Sequence, residues 1–224
     1  MANISAIRST LAAHGLIPRG GFHSLPEDNV PGDPATLVLV GNAGPDMWAA
    51  FEVVRGDYQD SPNSLDAWIS DTLTSVAVNV GATALFPFGG PPHLPFQRWA
   101  QRAEPVHPSP VGVLIHPEFG LWHAYRGALA FSEKLELPVP DARPSPCDSC
   151  TDKPCLSVCP VGAFSGTAYD VPACVEHITG PDSGDCMGRG CLARRACPVG
   201  QDYVYAPAQA AFHMGAFTRA QGGS

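Results

Sequence analysis

All eight cysteines of the 224-residue chain lie between positions 147 and 197. The first four run Cys147-x2-Cys150-x4-Cys155-x3-Cys159-Pro160, and the second four run Cys174-x11-Cys186-x4-Cys191-x5-Cys197-Pro198. Thiols this closely spaced can converge on a soft metal centre, and a run that closes on Cys-Pro sends its last cysteine to a second centre. On that logic Cys147, Cys150, Cys155 and Cys197 hold one 4Fe-4S cluster, and Cys159, Cys174, Cys186 and Cys191 hold another. Eight ligands then serve two clusters with none left over. Two four-cysteine zinc sites, a disulfide framework, or a single cluster beside a degraded site are the competing readings. The paired Cys-Pro endings speak against zinc. Between Cys150 and Cys155 stand the four residues Thr151-Asp152-Lys153-Pro154, where the bacterial ferredoxin run has two. The wider loop changes the hydrogen bonds available to sulfur, so ordinary ferredoxin potentials are not expected.

The rest of the composition narrows the partners. Thirteen basic against 21 acidic residues leave a net charge of −8 and a pI near 5.3, without the basic excess that neutralises a phosphate backbone or anionic lipid. Neither nucleic acid nor a membrane is therefore expected as a partner. No stretch reaches the roughly 18 apolar residues of a membrane span. The start of the chain reads as an amphipathic helix, with Ile4, Ile7 and Leu11 at helical spacing, and not as a secretory signal. The expected compartment is the cytoplasm, where dense cysteines more often mean metal than disulfide.

Positioning such thiols requires a scaffold, and the first 140 residues alternate strand-like and helix-like segments. The strand candidates are 35–40, 82–86, 111–116 and 121–131, the last two joined as a hairpin through Pro117-Glu118-Phe119-Gly120. Helices are expected from Pro45, from Ser64 with Leu65, Trp68, Ile69, Leu73, Val76 and Val80 on one face, and over 96–102. Gly41-Asn42-Ala43-Gly44 is not a GxGxxG motif and reads as a plain turn. Four prolines between 138 and 146 make a stiff connector. The predicted organisation is thus an α/β domain over 1–140 and a small cluster-binding domain over 141–224.

Residues 112–130, GVLIHPEFGLWHAYRGALA, carry more polar groups than a plain buried hairpin should. His116, His123 and Arg126 need partners if buried, and a ligand with carboxamides or a phosphate would supply them. Each histidine taken alone is more often a satisfied structural residue.

Two family resemblances attach to these residues. The cysteine half resembles the dicluster region of epoxyqueuosine reductases, in the order of a CxxC-type run ending in Cys-Pro, a lone cysteine opening Cys174-Val175-Glu176-His177-Ile178-Thr179, and a second run ending in Cys-Pro. Within that order His177 reads as a helix surface or packing residue and not as a ligand. Residues 36–138 resemble the cobalamin-processing family typified by the methylmalonic aciduria and homocystinuria type C protein. The resemblance rests on Ile115-His116-Pro117, Phe119-Gly120, Trp122 and Arg126-Gly127, with Asp57-Tyr58 and Pro62-Asn63 upstream. One departure is Ser61, where that family has a histidine before its Pro-Asn.

These resemblances imply a modified nitroreductase-like α/β domain joined to a small C-terminal ferredoxin-like dicluster domain. They also imply base-off cobalamin as a cofactor, with Phe96, Trp99, Trp122 and Tyr125 as walls for the corrin and His116, His123 and Arg126 as its polar contacts. The expected function is relay of single electrons from two 4Fe-4S clusters to cobalt, for processing of cobalamin or reduction of another substrate. No nicotinamide motif is evident, so a redox partner protein is the expected electron donor. Queuosine chemistry itself is disfavoured by the short tail after Cys197 and the acidic charge. The competing class is a ferredoxin-like electron carrier that docks to a redox partner and binds no cobalamin.

Overall fold

A computed structural model of the chain describes residues 3–222. In chain order the elements are α1 (Ile4–Ala12), β1 (Ile17–His23), β2 (Thr36–Ala43), α2 (Asp46–Val54), α3 (Ser64–Val80), β3 (Thr83–Leu85), α4 (Phe96–Ala103), β4 (His107–Pro108), β5 (Leu114–Ile115) and β6 (His123–Phe131). Six helices follow: α5 (Pro146–Ser149), α6 (Pro154–Ser157), α7 (Val171–Thr179), α8 (Gly184–Arg189), α9 (Leu192–Arg195) and α10 (Pro207–Ala220). These elements divide into two compact units. The first runs to Pro105 and resumes over His123–Arg143; the second joins Val106–Trp122 to the chain from Pro144 onward.

The first unit is built on a sheet of order β1-β2-β6-β3, antiparallel at each pairing. Its central pair explains the two strongest strand signals. Leu37 to Val40 oppose Ala130 to Gly127, and all of these strand side chains except glycine are buried aliphatics, as a strand covered on both faces requires. Helices α1, α2 and α3 supply Ile7, Leu11, Met47, Phe51, Ile69 and Leu73, all without solvent exposure. Each such side chain contributes roughly 1.5–3 kcal/mol by leaving water. Asn3 caps α1 by accepting from the Ala6 N–H, and α3 ends at Gly81 in the left-handed conformation, φ 70°.

Three expectations shift here. Strand β1 went unseen because Pro18 and the Gly20-Gly21 pair interrupt its pattern; its register slips between Pro18 and Gly21, which accommodates them. Strand β2 does not stop at Gly41 but runs to Ala43, with an irregularity between Val40 and Gly41. Finally, 111–116 and 121–131 are not one hairpin. A bridge pairs His116 with Gly120 across the turn, while β5 pairs with β4 and β6 joins the large sheet.

The reason lies in what holds 106–122. A Cβ on Gly120 would meet the Val199 backbone at 2.0 Å, and one on Gly200 would meet the Phe119 backbone at 2.3 Å, so the two loops touch main chain to main chain. Arg194 donates twice to the Leu121 carbonyl, at 2.9 and 2.5 Å, and Tyr203 donates to Glu118 at 2.7 Å. This segment, expected in the first domain, belongs with the cysteines. Apart from α7 and α10 the second unit has short helices, and in its apolar clusters Val111, Ile115, Leu121 and Phe164 group with Cys197, and Ala163 and Ile178 with Cys174 and Cys186.

Candidate functional site

Short helices with prolines at their starts aim the thiols. Pro146 and Pro154 occupy the first positions of α5 and α6, each followed directly by a cysteine, and Cys191 caps α9. At such positions helix N–H groups lack intrahelical partners and are free to point at sulfur. Lys153 turns the widened loop through a left-handed conformation, φ 38°, just before Cys155. None of the eight cysteines is in a disulfide.

The thiols sort into two neighbourhoods. Burial pushes the Cys197 thiol above its ordinary range, and the charges of Cys147, Cys155 and Cys150 push it further. Cys147 is raised by burial and has Cys155 and Cys150 as neighbours; Cys155, also raised by burial, has Cys150. A second group gathers around Cys174 and Cys186, and its members Cys159 and Cys191 also pack against the apolar cluster that holds Cys197. Cys174 is raised by burial, then by Cys159 and Cys186, while Cys191 is raised by burial, then by Cys186 and Cys174. The thiols of Cys147, Cys155, Cys174, Cys191 and Cys197 are raised because a weakly solvated site disfavours the charged form, and neighbouring thiolates add to this by repulsion.

Opposing that repulsion are donors aimed at sulfur. The Ala163 N–H reaches Cys159 Sγ at 3.4 Å. Backbone N–H groups of Arg194 and Ala193 favour the Cys191 thiolate, that of Val199 favours Cys197, and that of Leu156 favours Cys155. Ser145 does the same for Cys147 and the Tyr169 hydroxyl for Cys174. An all-sulfur donor set with N–H donors and an apolar surround fits iron-sulfur clusters, whose sulfurs take such hydrogen bonds. Among the described residues no group of three or more His, Cys, Asp or Glu side chains is drawn close enough to hold a single metal ion.

The residues expected to line a corrin are divided between the two units. Phe96, Trp99, His123, Tyr125 and Arg126 belong to the first unit, whereas His116 and Trp122 belong to the second. Trp99 is core: its ring lies 4.9 Å from that of Phe96, and its Nε1 donates to the Asp28 carbonyl at 2.8 Å. His116 accepts on Nδ1 from the Glu118 and Phe119 N–H groups, at 3.1 and 3.2 Å, and stacks on Phe119, which ties the tight turn to itself. The polar need inferred for β6 is met largely from within the unit. His123 Nδ1 lies 3.2 Å from the Arg19 guanidinium, Tyr125 donates to Glu104 at 2.5 Å, and Arg126 Nε donates to Asn42 Oδ1 at 3.0 Å.

Arg19 is the centre of that network and was missed. It is 1% exposed, pairs with Glu104 at 2.5 Å, donates to the Asn42 carbonyl at 3.1 Å and lies over the Tyr125 ring. A lone arginine in an IPRGG segment carries no signal of its partners, which sit 85 and 104 residues away. Burial is the main reason that the Tyr125 hydroxyl is pushed far above the phenol range, which keeps it a neutral donor. In the second unit Tyr169, Arg194 and Gln209 were also missed. Tyr169 stacks on Phe164 at 4.5 Å and hydrogen-bonds Cys174; the signal in hindsight is an aromatic a few residues ahead of the lone cysteine.

Comparison with solved structures finds the same fold in epoxyqueuosine reductases. The enzyme from Streptococcus thermophilus superposes with a TM-score of 0.54 at 15% identity, over 91% of this chain and 69% of that one. An epoxyqueuosine reductase with an epoxyqueuosine-modified tRNA-Tyr stem loop gives 0.53 at 15% identity, over 91% of this chain and 66% of that one. The chain therefore spans about two thirds of the length of these enzymes. No protein-family model matches the chain, and no curated relative does. The shared property is a mixed α/β fold carried by these enzymes; a likeness to the cobalamin-processing family does not emerge.

Proposed function

We propose that the chain is an iron-sulfur electron-transfer protein of the reductase class. The observation that supports this reading is the gathering of the thiols in one unit, with Cys197 near Cys147, Cys150 and Cys155, Cys174 near Cys159 and Cys186, and hydrogen-bond donors to several of the sulfurs. Cys147, Cys150, Cys155 and Cys197 would hold one 4Fe-4S cluster, and Cys159, Cys174, Cys186 and Cys191 the other. Bound there, each cluster supplies one electron at a time. The chain's own part is to exclude water with Val111, Phe164 and Ile178 and to set the potential through the N–H groups of Ala163, Ala193, Arg194 and Val199.

The finer reading makes base-off cobalamin the acceptor, the first unit a nitroreductase-like domain, the cysteine unit ferredoxin-like, and the cytoplasm the compartment. It rests on the sequence resemblance and on the fold shared with epoxyqueuosine reductases. Against the cobalamin part stands the internal pairing of His123, Tyr125 and Arg126. The exclusion of nucleic acid drawn from charge also loses force, since a protein of this fold is solved with a tRNA stem loop. Among the described residues no helix is long and apolar enough to cross a membrane.

Anaerobic purification followed by metal analysis and visible and electron paramagnetic resonance spectra tests the core reading. About eight irons per chain and two reducible cluster signals are expected; zinc without iron overturns it. Titration with cobalamin and with an RNA stem loop then divides the finer readings. An unchanged corrin spectrum removes cobalamin and leaves the electron carrier.

A further inference from the structure

Tyr169 is the last residue before the cap of α7. Asp170 caps that helix by accepting from the Ala173 N–H at 3.0 Å, and Cys174 is the fourth helical residue. Side chains at these two positions, one just ahead of the cap and one at the fourth place, pack against each other in helices that begin this way. Here the pairing has a polar end, because the Tyr169 hydroxyl hydrogen-bonds the Cys174 sulfur.

Two further features hold the ring. A bridge pairs Phe164 with Tyr169, and the Ser165 and Asp170 N–H groups donate to the Ala168 and Ala163 carbonyls at 3.1 and 2.8 Å, which closes 163–170 into a narrow hairpin. Across it the Phe164 ring lies 4.5 Å from that of Tyr169 with 19° between the planes, and the Phe217 ring of α10 lies 6.3 Å away at 21°. A phenol has two side-chain torsions, so a ring held by its backbone and its face delivers the hydroxyl in one direction. Tyr169 packs against both apolar clusters of the unit, the one with Cys197 and the one with Cys174 and Cys186, while its hydroxyl goes to Cys174.

A sulfur bound to iron keeps lone pairs that accept hydrogen bonds. Such a bond favours the more electron-rich, reduced state of a cluster and so raises its potential. Among the donors around the thiols, backbone N–H groups come with the loop itself, whereas a hydroxyl is supplied by one side chain. On the other side that hydroxyl is Ser145, beside Cys147, an alkyl alcohol and hence a weaker donor than a phenol. We propose that Tyr169 sets the potential of the cluster held by Cys159, Cys174, Cys186 and Cys191, raising it relative to the other cluster and so drawing the electron to that side of the unit. The inference rests on the cluster reading and deepens it, by naming a residue that is not a ligand and acts through one. A packing role alone would leave the potential where it is.

The test uses the full chain, purified anaerobically with its iron, in redox titrations followed by electron paramagnetic resonance. Tyr169→Phe keeps the ring on Phe164 and removes only the hydroxyl. It should lower one of the two midpoint potentials by the about threefold to tenfold change in reduced-to-oxidised ratio that one hydrogen bond is worth, about 30–60 mV for a one-electron couple, with iron content and the other potential unchanged. Ser145→Ala should move the other couple instead. Incorporation of 3-fluorotyrosine, a stronger donor, should raise the first couple in the native chain and leave it in place in Tyr169→Phe. Electron-nuclear double resonance in D2O should show an exchangeable deuteron coupled to that cluster in the native chain and missing from the variant. Unchanged potentials in iron-replete Tyr169→Phe, or equal shifts of both couples, overturn the proposal and leave the cluster reading standing; a native chain without iron overturns both. If Tyr169→Phe does not retain its iron, the fluorotyrosine chain decides: a rise of one potential alone supports the proposal, and no rise overturns it.

Discussion

The two units solve the problem of stability differently. The first buries a conventional apolar core: β2 and β6 exchange backbone hydrogen bonds over eight registered pairs, and Trp48, Phe51, Trp68 and Leu73 pack around them. Many of its buried polar groups meet in one network, in which Arg19, Glu104, Tyr125, Asn42 and His123 interact with one another. Around its cysteines the second has three four-residue helices beside the longer α7 and α10, two-residue strands, and apolar clusters in which cysteines are members. Helices that short do not form without tertiary support. The first unit should therefore be independent of metal, and the second should depend on it.

The largest expected effect comes from removing metal. Stripping iron with ferricyanide and a chelator should collapse protection of the amides over 146–197 in hydrogen exchange while the β2–β6 ladder stays protected, because metal binding free energy is folding free energy where no preformed core exists. Loss of protection in both units at once would erase the contrast between them.

Next comes the polar network around Arg19 in the first unit. Glu104→Ala leaves the Arg19 guanidinium buried without its carboxylate and should cost about 3–5 kcal/mol in urea unfolding, with iron content unchanged. A cost under ~1 kcal/mol would mean that Arg19 relaxes to water. Somewhat smaller, Gly200→Ala should destabilise the second unit by about 1–3 kcal/mol, since φ there is 75° and the new methyl meets the Phe119 backbone. Its readout is faster loss of iron to a chelator.

The smallest effect concerns Asp66 in α3. Burial raises its carboxyl above the usual 3.8, against a lowering by Arg126. A folded value above the unfolded one gives a contribution fully present below about pH 3.8 and lost as pH rises through the folded value. Asp66→Asn removes that loss, so it should raise stability near neutral pH by on the order of a few tenths of a kcal/mol, after discounting for partial exposure, and flatten the acid profile. Thermal melts across the acid range check this; a destabilised variant would show that the Arg126 attraction outweighs burial.

Amino-acid order alone determined much of this molecule, and for local reasons. The helices over 4–12, 64–80 and 96–103 and strands β2, β3 and β6 follow from periodicity, caps and aliphatic runs, all of which are properties of contiguous residues. The thiol pattern belongs to the same class, because Cys-Pro endings and proline-led turns act within a few residues. What the chain could not reveal was which distant groups answer a buried charge. Arg19 finds Glu104 and His123, and His116 uses its own turn, so residues that read as ligand contacts have protein partners. Nor could it show that 106–122 belongs with the cysteines, since that depends on Gly120 and Gly200 letting two backbones touch across 80 residues. Pairings of this kind depend on shape and solvation in three dimensions, and only the tertiary structure decides them.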